Sequence, residues 1–90
     1  MTTILTSFNN AINQYRCKKF WKQEYKNCID HADIAEAAAR HEEFAADRLA
    51  WMSFDPMYAT THRSMAKACY DVAEQSRRDA EWIKSMLEAF

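Results

Sequence analysis

Trp51-Met52-Ser53-Phe54-Asp55-Pro56-Met57-Tyr58 is the stretch whose reading decides the fold. Asp55 offers a side-chain acceptor of the helix N-cap kind, and Pro56 follows at the first helical position, where its missing N–H costs nothing. A helix therefore opens at residue 56. Downstream of it, Tyr58, Met65, Cys69, Val72, Ile83, Met86 and Phe90 recur in steps that approach a heptad seam, interrupted by His62, Ser76 and Asp79. The spacing predicts one long helix over about 56–89.

Upstream of the corner, Ile34, Ala37, Ala38, His41, Phe44, Ala45, Leu49 and Met52 fall on one helical face. Asp30 and Asp33 read as N-caps for that segment, and Asp33 with Glu36 has capping-box spacing, which places a helix over about 33–53. A first helix over about 3–29 presents Ile4, Phe8, Ala11, Ile12 and Tyr15 on one side. After Tyr15 the phase slips: Lys18, Lys19 and Lys22 occupy the stripe while Phe20 and Trp21 point elsewhere, so a bend or an exposed aromatic is expected.

Composition agrees with an all-helical chain. The 90 residues contain no glycine and one proline. Tight β-hairpins, phosphate-cradling loops and nucleotide-binding folds rely on glycine for positive φ or close backbone approach, so these classes are excluded. The expectation is an all-α, antiparallel three-helix bundle in one domain, 1–90, with a long C-terminal helix and dimerisation left open. In such a bundle the last three turns of helix three project past the shorter helix two and carry Trp82, Ile83, Met86, Leu87 and Phe90, unless helix three kinks or helix one covers them. The corner residues Phe54 and Tyr58 are expected in the core, closing the bundle over Ile4, Leu5 and Phe8.

The opening MTTILTSFNN lacks a basic region followed by a long apolar core, and no apolar run approaches the roughly 20 residues that span a bilayer. A cytoplasmic location without membrane contact is expected, with reduced thiols. The net charge of -1 selects no partner in bulk, but its distribution is uneven. Residues 1–29 carry five basic and one acidic side chain, and residues 30–55 carry two basic and seven acidic.

Four constellations could carry chemistry. Lys18, Lys19, Lys22 and Lys26 around Trp21 can neutralise phosphates while an aromatic stacks on unpaired bases, which is the alternative reading of the chain as a nucleic-acid-binding module. The acidic run Asp30, Asp33, Glu36, Glu42, Glu43 and Asp47 reads chiefly as a solvated face that could dock on a basic surface. Cys28 and His31 have half the spacing of a zinc site with no second half nearby, so no metal or other cofactor is expected. His41 and Cys69 could face each other across two helices, but mid-helix positions provide no free backbone N–H groups for an oxyanion, and no enzyme activity is expected.

In length, helical character and lack of a catalytic signature, the chain resembles the small accessory and inhibitor proteins of phages and mobile elements, among them anti-restriction and anti-CRISPR proteins. That resemblance implies binding to a larger protein. The leading expectation is a non-enzymatic helical interaction module that binds a larger protein, itself, or both, through Trp82, Met86, Leu87 and Phe90, because a few large side chains dominate most interfaces.

Overall fold

The computed structural model describes residues 2–52 and 56–89, with side chains from residue 6 onward. Two helices account for these residues, α1 (Thr2–Met52) and α2 (Pro56–Glu88). They form an antiparallel hairpin 79 Å long and 14 Å across. The all-helical class is as expected, and Pro56 opens α2, although the Asp55 cap lies outside the described residues. The three-helix bundle is corrected: no break separates residues 29 and 33, and one helix of 51 residues replaces two.

The reason lies in what the chain does not contain between Ile29 and Asp33. No glycine or proline removes an N–H or asks for positive φ there, so nothing obliges the helix to stop. The two acids of the expected capping box turn to α2 instead. Asp33 lies 3.8 Å from the Arg77 guanidinium, and Glu36 bonds both Arg77 and, at 2.8 Å, Arg40.

Three cross-helix contacts fix the register: Trp21 against Trp82, His31 against Ser76, and Glu42 against His62. In that register Ala32, Ala39 and Ala46 of α1 stand level with Ala73, Ala66 and Ala59 of α2, and all six are buried. Ala35, Ala80, Ser76 and Ile83 complete the buried set. The steps between Cys28, Ala32, Ala35, Ala39, Glu42, Ala46 and Leu49 alternate four and three, an unbroken heptad seam. Alanine at these positions lets the axes approach to about 8 Å and carries the best helix propensity, so contact is made largely by backbone and Cβ atoms.

The seam therefore lies one step away from the stripes of larger residues expected to form it. Ile34, Tyr58, Met65 and Val72 are exposed, whereas Ala35, Ala59, Ala66 and Ala73 next to them are buried; Phe44 and Met52 are exposed as well. Trp51, Met52, Met57 and Tyr58 close nothing at the corner, because Phe8 lies at the far end of α1 and the side chains of Ile4 and Leu5 fall outside the described residues. Phe54 is outside them as well.

The overhang is reversed. Since α1 is continuous and α2 ends level with about residue 17, it is the start of α1 that projects, by roughly 20 Å at 1.5 Å per residue. The end of α2 is flanked by α1, with Trp82 edge-on to Trp21 at 5.9 Å.

One flank of the seam is charged and holds the register. Four residues after successive seam alanines come Glu36 and Glu43 on α1 and Arg63, Tyr70, Arg77 and Lys84 on α2. Tyr70 faces Glu43 and Arg40. Its hydroxyl is held above the ordinary phenol range, first by desolvation and then by hydrogen bonding to the Glu43 carboxylate. Glu36 is held below the ordinary value of 4.5, first by the hydrogen bond from Arg77 and then by its charge, with Arg40 adding to both and desolvation opposing.

Two predictions follow from the seam and its flank. Ala39→Leu forces a bulky side chain into the alanine contact and lowers unfolding free energy by about 1–3 kcal/mol in urea titrations, whereas exposed Ala50→Leu stays within about 0.5 kcal/mol. Because the folded carboxyl titrates lower than the unfolded one, the Glu36 contribution is complete above 4.5 and fades as pH falls through the folded value. Glu36→Gln should lower Tm at neutral pH, with the difference from the parent shrinking in circular-dichroism melts below 4.5. A difference independent of pH would contradict the pairing.

Candidate protein-docking face

The opposite flank of the seam is built by the residue one place before each seam alanine. On α1 these are His31, Ala38 and Ala45, and on α2 Tyr58, Met65, Val72 and Asp79. Two places after the same alanines come Ile34, His41 and Arg48 on α1, and Thr61, Ala68, Gln75 and Trp82 on α2. Together the two rows form one long side of the hairpin. Between Ile34 and Met52, and between Tyr58 and Val72, it is mostly apolar; Ile34 is 68% exposed and Tyr58 60%.

At the far end of the same side, Phe20, Trp21 and Trp82 form an edge-to-face chain, with centroids 5.1 Å apart for the first pair and 5.9 Å for the second. Such contacts hold the rings in fixed orientation while leaving surface free, and Trp82 remains 61% exposed. Met86 and Leu87 are half-buried beside it, and Phe90 lies outside the described residues. Of the four residues expected to bind a partner, Trp82 and Met86 thus belong to this side, while Leu87 lies in line with the seam.

Polar groups interrupt this side at intervals. The Ser76 hydroxyl and His31 Nδ1 share a 3.0 Å hydrogen bond, with the hydroxyl donating when the ring proton is on Nε2. Glu24 and Asp79 flank Cys28. Burial first, then Asp79 and Glu24, push the Cys28 thiol above its ordinary value. The Arg48 guanidinium sits 5.9 Å from the centre of the Phe44 ring. Phe44, Asp47, Arg48, Trp51 and Met52 line a shallow open groove at the corner end.

The other expected constellations separate. His41 is exposed on the apolar side, Cys69 is half-buried in the seam, and the register sets them at different levels. Cys17, Cys28 and Cys69 are all free thiols. Among the described residues no group of three or more His, Cys, Asp or Glu side chains could hold a metal ion. Lys18, Lys19 and Lys22 line a shallow groove with exposed Tyr15 on the projecting part of α1, and Lys26 continues that row. Trp21 is turned away from them onto Phe20 and Trp82. No helix is long and apolar enough to cross a membrane among the described residues.

What sequence reading missed was the relation between the stripes. Tyr58, Met65 and Val72 have the spacing of a core seam, and the alanines beside them, at 59, 66 and 73, have the same spacing. Two parallel apolar rows on one helix were the available signal that only one of them enters the seam. Comparison with known protein families, with characterised proteins and with solved structures returns no match.

Proposed function

We propose that this chain is a non-enzymatic helical-hairpin interaction module whose work is done by the apolar side opposite the charged flank. One observation carries the reading: large side chains that would form a core line one side of a hairpin already closed by its alanine seam. On this side Ile34, Met52, Tyr58 and Trp82 are each at least 60% exposed, and Phe44, Trp51 and Met57 stand exposed on the outer faces of the helices beside it. Contiguous apolar surface of this kind marks association sites in soluble proteins, and methionine with aromatics is favoured at interface centres. The resemblance to phage accessory and inhibitor proteins accords with such a role and selects no target.

A photo-crosslinking residue in place of Met65 tests the reading in cells. A covalent adduct to a protein, whether another chain or this one, is expected at Met65 and not at Glu74 on another side of α2. Equal or absent adducts at both positions would contradict it.

A second reading rests on the projecting start of α1, where Tyr15 stands exposed beside Lys18, Lys19 and Lys22. Phosphates held by these lysines and a base stacked on Tyr15 would make a single-strand nucleic-acid contact. Under it, affinity for a labelled oligonucleotide falls steeply with added salt and weakens for Lys18→Ala/Lys22→Ala, whereas no binding at low salt would eliminate it.

A further inference from the structure

The hairpin exposes more surface than a compact chain of its mass does. A compact protein of 10.6 kDa exposes about 5,500 Å², and this one exposes 7275 Å². Its radius of gyration, 21.5 Å, compares with about 12 Å for a compact domain of 90 residues. The excess, about 1,800 Å² per chain, is twice the roughly 800 Å² that each partner buries in a standard interface and lies in the range of obligate homodimers. Meanwhile the described core holds no fully buried large side chain.

We propose that the apolar side is covered by a second copy of the same chain, stacked face to face through a twofold axis that crosses the hairpin near Ala35 and Tyr70, forming an antiparallel four-helix bundle. This deepens the interaction-module reading and rests on it. A row with alternating three- and four-residue steps can pack on itself in the antiparallel sense, and both rows here have that spacing.

Two twofold axes keep neighbouring helices antiparallel, and charge distinguishes them. An axis along the hairpin lays α1 on α2 of the other copy, sets Glu24 against Trp82 and Arg48 against Tyr58, and leaves both charges without a counter-ion. The crossing axis lays each helix on its own twin. It sets Glu24 against Arg48 of the second copy, Tyr58 against Trp82, and Ile34 against Ala38, while Asp79, whose carboxylate accepts from Gln75 at 3.0 Å in its own chain, meets the Thr61 hydroxyl. Among the described residues neither Glu24 nor Arg48 takes part in an ion pair within its own chain. The two symmetry-related Glu24–Arg48 pairs then fix the register, since misplaced like charges are penalised in a dry interface.

Charge reversal tests the arrangement on the full chain, with sedimentation equilibrium for mass and circular dichroism for helicity. The parent should have twice 10.6 kDa down to low micromolar concentration. Arg48→Glu and Glu24→Lys should each weaken self-association at least about tenfold while retaining helix. Mixed together, the two variants restore both pairs and should form a one-to-one heterodimer. A parent that is monomeric at about 100 μM overturns the proposal, and if the Met65 crosslink then captures a different protein, the interaction-module reading survives without it. Variants that remain dimeric alone, or that fail to rescue each other, also overturn it.

Discussion

Everything in this molecule depends on how closely two helices approach along a line of alanines. With Ala32, Ala39 and Ala46 level with Ala73, Ala66 and Ala59, the seam is narrow, and backbone-to-Cβ contact replaces interdigitated side chains. A seam this thin contributes dispersion and fixed geometry but little apolar area, so it cannot stabilise a chain of this size as a bundle core does. It also decides where the large residues go. Once the small ones face inward, the methionines and aromatics adjacent to them must lie on the flanks.

The two flanks divide the remaining chemistry. On one, Glu36, Arg77, Glu43 and Tyr70 tie α1 to α2 and define their offset. On the other, apolar rows run along both helices with few internal partners beyond the Phe20, Trp21 and Trp82 chain. A hairpin with one polar and one largely apolar long side has the pattern of half a bundle. The proposed second copy completes it, and the projecting starts of α1 then emerge at opposite ends, each bearing Tyr15 and the lysine groove.

Part of this was legible in the residues. The lack of glycine announces an all-helical chain, and Pro56 marks the start of α2 because proline fits a helix best in its first turn. Asp30 and Asp33 misled because aspartate favours N-caps over helix interiors, a preference overridden here, where Asp33 turns to Arg77 of α2. The seam was hidden for a different reason: apolar periodicity weights large side chains, whereas close packing between two helices selects small ones. Tyr58, Met65 and Val72 were read as a core row, and they are a row of core character left exposed beside the buried alanines. Trp82 and Met86 were found on that same side, although the overhang expected to expose them belongs to α1.

Small-angle X-ray scattering of the purified chain tests the central claim, because mass and length together separate the possible assemblies. The account predicts a particle of twice 10.6 kDa and about 100 Å in length, since the crossing axis offsets the two hairpins and places one projecting helix at each end. A particle of 10.6 kDa and 79 Å would show that the apolar side is uncovered, and a doubled mass at 79 Å would place the axis along the hairpin; either result would contradict the account.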